Sequence, residues 1–231
     1  KGKQMIKLEK TSVMNFENAI RGARNPMNSW DRMDSYSTIS YEDGLEYEDC
    51  LPRFVMGEND LSLARRLIKA GSDHRKFLRQ IFVSVDITAP LYWWKEYDTY
   101  KVATVANSCS TMHKIHAKEF TFDDFSHEHL YSRLGESYEA MDCLTDIIDC
   151  LNKYRTLYIE TKDKLWWWQM IQLLPSSYNQ LRTCTLNYET LLNQYHARKH
   201  HKLDEWHTYR DWIETLPYFK EMCLEDEADG N

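Results

Sequence analysis

Hydrophobic and polar side chains alternate along Met5–Val13 (MIKLEKTSV). That period of two predicts a strand with one face in water, an edge strand. Ile81–Ile87 (IFVSVDI) alternates in the same way and is rich in β-branched residues, so it is the second predicted strand. Lys101–Ser108 (KVATVANS) is a short extended run. Elsewhere the apolar period is three or four. Asn15–Arg21 reads as a short helix. Asn59–Ala70 reads as a helix capped by Asn59 or Asp60 and ended by Gly71, with a further turn at His74–Leu78. Pro90 opens a helix running through Tyr100, because its fixed φ suits a first helical position. Phe122–Phe125 is a turn. In the long helix predicted over Leu134–Tyr158, Leu134, Tyr138, Met141, Leu144, Ile148 and Leu151 recur every three or four residues. Lys164–Leu174 is an apolar helix carrying Trp166, Trp167 and Trp168, stopped before Pro175. Leu203–Leu216 is amphipathic.

The stretch Leu174–Arg198 (LPSSYNQLRTCTLNYETLLNQYHAR) organises the chain. Its part Leu186–Arg198 reads as a helix. Tyr188, Leu191, Leu192 and Tyr195 fall on one apolar face, with Glu189, Asn193 and His196 opposite. Asn187, Gln194 and Arg198 form a polar row along the edge of that face. A helix rise of about 1.5 Å per residue puts Asn187 and Arg198 about 16 Å apart, the span of two adjacent ring systems. The simpler reading of the same pattern is a core helix with an ordinary polar flank.

Composition narrows the classes. The 231 residues, 42% hydrophobic and 28% charged, suffice for one sizeable core. A single domain over residues 5–222 is expected. Lys1–Gln4, before Met5, reads as an appended remnant, and residues 223–231 as a disordered acidic tail. The formal net charge of −7 argues against a general nucleic-acid binder. No apolar run is long enough to span a bilayer, and no secretory signal is present. Six cysteines without a CxxC pair point to a reduced, cytoplasmic setting. Gly22–Tyr47 lacks apolar periodicity and is long for a structureless connection, which predicts a functional loop or flap.

With 7 glycines there is no GxGxxG or P-loop, and no GxSxG elbow. His196 and His200, four apart, read as a solvated helix end rather than a metal site. Cys109, within ANSCSTM, reads as a small buried thiol. The tryptophan triplet reads as core or interface.

At Leu174–Arg198 the sequence resembles the flavin-dependent thymidylate synthases, the ThyX family. These have a Leu-Pro pair, an Asn on a helix, and an Arg eleven residues beyond it. Here these are Leu174–Pro175, Asn187 and Arg198, without a gap, and Leu203–Trp206 weakly matches the segment that follows. The family signature RHRxxSxNExSxRY corresponds to TYKVATVANSCSTM, Thr99–Met112. Lys101 keeps a charge; Thr99 and Thr111 stand where arginines would. The resemblance implies that Asn187 lies against a flavin and that Arg198 contacts the uracil of dUMP as the catalytic cation. It places His74, Tyr100 and Lys101 on the cofactor side, and Asn107, Cys109, Thr111 and Arg182 on the substrate side. Arg21, Arg24, Arg75, Arg79 and Arg182 are the candidates to replace the lost guanidinium groups. The implied fold is α+β, a sheet flanked by helices with a helix-rich C-terminal half, assembled as a homotetramer. The implied reaction is reductive methylation of dUMP at C5, with FAD, methylenetetrahydrofolate as co-substrate and NADPH as reductant. Two alternatives follow from the degraded signature: a catalytically altered nucleotide- or partner-binding protein, and a flavoenzyme acting on another pyrimidine nucleotide.

Overall fold

The computed structural model describes residues 6–39, 52–131 and 138–224. A four-stranded antiparallel sheet is built from β1 (Lys7–Met14), β4 (Phe82–Pro90), β6 (Asn179–Asn187) and β5 (Val105–Ser108), in that spatial order. β1 is an edge strand, as its pattern predicts. Its register shifts between Glu9 and Ser12, and Lys10 takes a left-handed φ of 51°. The irregularity brings the Lys10 ammonium to 3.2 Å from Asp86, which otherwise faces Glu9 across the ladder. β4 buries Val83, Val85, Ile87 and Ala89 on alternate positions and extends past the predicted Ile87 to Pro90.

β6 was not predicted. Its inward face carries Gln180, the half-buried Arg182, Cys184 and Leu186, so a central strand has two polar side chains where periodicity would need apolar ones. Pairing on both edges and the Ser84–Thr185 hydroxyl contact of 2.6 Å hold it instead. The helix that follows, α6 (Tyr188–Ala197), is shorter than the predicted Leu186–Arg198. Asn187 is its N-cap and Arg198 its C-cap, so these residues bracket the helix rather than lying in a row along it.

The segment from Gly22 is not structureless. Helix α1 (Phe16–Ala23) leads into two 3-10 turns and then strand β2 (Tyr36–Ile39), which pairs with β3 (Pro52–Val55). The rest of the predicted loop, residues 40–47, lies outside the described residues. Helix α2 (Glu58–Lys69) is capped neither by Asn59 nor by Asp60. Asp34, from the other segment, accepts the Asn59 and Asp60 amides at 2.8 and 3.0 Å. Gly57 permits that approach: a Cβ there would sit 2.2 Å from the Asp34 carboxyl carbon. Asp60 is buried and accepts from Arg24 Nε at 2.6 Å and from the Ser35 amide at 2.8 Å.

Helix α3 (Leu91–Tyr97) ends three residues before the predicted Tyr100. It carries Trp93, Trp94 and Tyr97 into an aromatic cluster with Trp206 and Tyr209 of α7 (Asp204–Glu214). Helix α8 (Phe219–Cys223) closes the same core with Phe219 and Met222. A second cluster lies under α4 (Ala140–Thr161) and α5 (Lys164–Leu173): Leu144, Ile148 and Leu151 pack with Met170, Phe120 and Phe125. Tyr138, expected on the buried face of α4, precedes the helix and is exposed, and Leu134 lies outside the described residues. The tryptophan triplet sits at the margin of this hairpin: Trp166 stacks on Tyr154, and Trp168 is exposed. Among the described residues no helix is long and apolar enough to cross a membrane.

Candidate functional site

The β6–α6 junction forms one wall of a cavity of about 510 Å³. From α6 and its cap come Asn187, Glu189, Thr190, Asn193 and Gln194; from the α3–β5 connection come Thr99, Tyr100, Val102 and Ala103; Arg79 stands at the third side. That volume lies within the range of small-molecule sites, about 300–1,000 Å³.

The polar residues of α6 hold the opposite wall in place. Thr190 Oγ1 donates to the Val102 carbonyl at 2.9 Å, and Gln194 Nε2 to the Tyr100 carbonyl at 3.1 Å. Gln194 is fixed from behind by the Tyr209 hydroxyl at 2.8 Å. Within the held connection Ala103 takes a φ of 60°, a backbone state uncommon for a side chain other than glycine's. Asn187 Oδ1 accepts the Thr190 amide at 2.9 Å, which leaves its NH₂ group as the donor side toward the cavity. Glu189, expected on the solvent side of the helix, is buried and 3.0 Å from Arg75 Nε. Arg75 also donates to Asn193 at 3.2 Å. Helix α6 and the α3–β5 connection thus set the walls, and the pairing of Glu189 with Arg75 orders the first turn of α6.

Arg198 is 8% exposed. Its guanidinium carbon is 3.9 Å from the Tyr100 ring centroid and 4.9 Å from that of Trp206. Glu96 pairs with it at 3.4 Å. Arg198 therefore backs the Tyr100 side of the cavity while its charge is met by a carboxylate. Its Nε is buried with no hydrogen-bond partner among the described residues, consistent with a group packed between rings. His201 lies near the same Glu96, at 3.9 Å, and its pKa is held below the ordinary histidine value, first by burial and then by Arg198.

The remaining predicted residues are dispersed, and of them Tyr100 and Asn187 line the cavity while His74, Lys101, Asn107, Cys109, Thr111 and Arg182 do not. Lys101, next to Tyr100, is 3.8 Å from Asp98. Asn107 lies on β5 opposite Thr183, and Cys109 continues that edge through its amide to the Leu181 carbonyl at 2.9 Å; its thiol, expected to be buried, is exposed because the edge strand leaves that side open. Arg182 is opposite Ser108; it donates to Asp98 at 3.1 Å and stacks on Trp94 at 4.2 Å. Thr111 is half-buried in the turn beyond β5. His74 is exposed in the turn after α2, its amide donating to the Gly71 carbonyl at 3.0 Å. Val102, Ala103 and Thr190 had no role in the reading of the sequence; Thr99 entered it only as the place of a lost arginine, and Asn193 only on the helix face opposite the apolar one. The spacing of Asn193 from Glu189 on one helix face was the available signal, and it is also the signal of a solvated face.

The arrangement suits a planar ring. Tyr100 and the exposed Val102 give flat apolar surface, and Asn187 a donor. These residues fit the ring end of a flavin or of a pyrimidine nucleotide.

No protein-family model matches the sequence, and neither does any curated protein. Solved structures do resemble it. Thymidylate synthase X of Helicobacter pylori, solved with FAD and dUMP, superposes with a TM-score of 0.62 at 15% identity, over 96% of this chain and 97% of that chain. A second structure of the Helicobacter pylori enzyme with FAD and dUMP gives 0.62 at 14%, over 96% and 98%. The UMP/dUMP methylase PolB of Streptomyces cacaoi, bound with 5-Br UMP, gives 0.60 at 14%, over 95% and 94%. A small antiparallel sheet flanked by helices, matched along nearly its whole length, gives this chain the thymidylate synthase X fold.

Proposed function

We propose that this protein is a flavin-dependent enzyme of the thymidylate synthase X type, which methylates a pyrimidine nucleoside monophosphate, dUMP first, at C5. FAD is its cofactor, methylenetetrahydrofolate its carbon donor and NADPH its reductant, in a cytoplasmic homotetramer. The observation that carries this reading is the cavity at the β6–α6 junction, where Tyr100 and Asn187 meet in a chain of this fold. When bound, the flavin supplies the hydride chemistry. The chain's residues bind and orient. The Asn187 NH₂ donates to a ring carbonyl, Tyr100 packs against the ring plane, and the hydrogen bonds from Thr190 and Gln194 keep Tyr100 in position. Arg198, 3.9 Å behind Tyr100, places positive potential where a uracil ring gains negative charge. His74 and Lys101 flank the cofactor side, and Asn107, Cys109, Thr111 and Arg182 the substrate side.

One observation favours a second reading, a nucleotide-binding protein that has lost the synthase reaction. Arg198 and Arg182 are both met by carboxylates, Glu96 and Asp98. One set of measurements separates the two. The expected result is an oxidised-flavin spectrum in the purified protein, tritium release from C5-labelled dUMP, and rescue of a thymidine auxotroph. Bound flavin and dUMP without tritium release or rescue selects the second reading. A colourless protein that neither FAD nor dUMP binds overturns both.

A further inference from the structure

Five arginines were available from the sequence to replace a phosphate-binding guanidinium, and four are committed elsewhere. Arg21 donates to Asn18 at 3.0 Å on the surface of α1. Arg24 is buried on Asp60 at 2.6 Å. Arg75 is held by Glu189 at 3.0 Å, and Arg182 by Asp98 at 3.1 Å. Arg79 differs from Arg24, Arg75 and Arg182 in having no carboxylate partner among the described residues, and from Arg21 in standing at the cavity. It lines the cavity, its side chain is exposed, and its partner among the described residues is a neutral carbonyl, that of Ser72, at 3.3 Å.

The fold fixes where Arg79 stands. Phe77 and Leu78 are buried and anchor its 3-10 turn. The Ile81 carbonyl accepts the Tyr188 amide at 3.0 Å, and Phe82 pairs in register with Asn187. Arg79, three residues upstream of Phe82, therefore overhangs the first turn of α6. Glu189, the carboxylate on that wall, is already neutralised by Arg75. An anionic group entering here meets an uncompensated guanidinium beside neutral amides.

We propose that Arg79 is the phosphate ligand of this cavity, binding the phosphate ester of the molecule whose ring lies against Tyr100 and Asn187. The inference rests on the nucleotide reading above. It moves charge recognition from the β5 side of the site to the turn before β4.

The test is calorimetric binding of dUMP against deoxyuridine, and of FAD against riboflavin, to the full-length wild type, Arg79→Gln and Arg79→Lys. A lost charge-assisted hydrogen bond predicts a fall of about 10- to 100-fold in affinity for the phosphorylated ligand with Arg79→Gln. Affinity for its unphosphorylated counterpart stays unchanged, and Arg79→Lys restores part of the loss. The difference shrinks at high salt. A loss confined to dUMP assigns the contact to the nucleotide; one confined to FAD assigns it to the cofactor. Full retention of both preferences in Arg79→Gln overturns the role of Arg79 and leaves the nucleotide reading standing. A wild type that binds neither dUMP nor FAD overturns that reading, and this inference with it.

Discussion

Asn187 shows how one side chain serves the backbone and a cavity at once. Its Oδ1 caps α6 through the Thr190 amide at 2.9 Å, and its NH₂ is left to the site. These two roles are separable by substitution. Asn187→Asp keeps an acceptor for the cap and removes the donor; Asn187→Ala removes both. Loss of a cap costs about 1 kcal/mol. In urea denaturation, Asn187→Ala is expected to be destabilised by that amount and Asn187→Asp to stay near the wild type. Both variants are expected to lose affinity for a ring ligand. A normal ligand affinity in Asn187→Asp would return Asn187 to a purely structural role. Arg198 teaches the opposite lesson: the resemblance implied a cation in contact with the substrate ring, and the structure packs it between Tyr100 and Trp206, buried and paired with Glu96.

At the scale of elements, the segment after α1 depends on a pair of residues 36 positions apart. Arg24 and Asp60 are both buried, and Asp60 also receives the Asp34 and Ser35 amides at 3.1 and 2.8 Å. Breaking a buried ion pair by removing one partner costs about 3–5 kcal/mol, because the remaining charge stays desolvated. Asp60→Ala is therefore expected to lose about that much stability by urea denaturation. Arg24→Met with Asp60→Leu, which removes both charges, is expected to recover much of it. A single Asp60→Ala within about 1 kcal/mol of the wild type would show that α2 does not organise that segment. Local patterning left the segment irregular because its turns draw their order from α2 and β2 draws its order from β3, not from their own apolar period.

At the scale of the molecule, the meeting of α3, α6 and α7 around Arg198 creates a pH-dependent element. His201 accepts the Leu203 amide on Nδ1 at 3.1 Å, so the folded state favours the neutral ring. Burial first, then Arg198, lowers its pKa from 6.5; His207 acts in the same direction, and Glu96 and Glu205 oppose them. Below 6.5 the unfolded chain binds the proton more readily than the folded one. The stabilisation is thus complete above that value and is lost as pH falls through the folded pKa. The expected outcome is a melting temperature that drops as pH falls below 6.5, and drops less in His201→Gln. Equal drops in the two proteins would remove His201 as a source. The sequence by itself determined the apolar stripes of α2, α4, α6 and α7, the alternation of β1 and β4, and the spacing of Asn187 from Arg198. Each of these reports burial along one element. Only the tertiary structure decided that Asn179–Asn187 is a central strand, that Glu189 turns inward onto Arg75, and that Arg79 keeps its charge open to the cavity. Those outcomes depend on partners brought close by folding, and a one-dimensional period carries no record of which charge meets which.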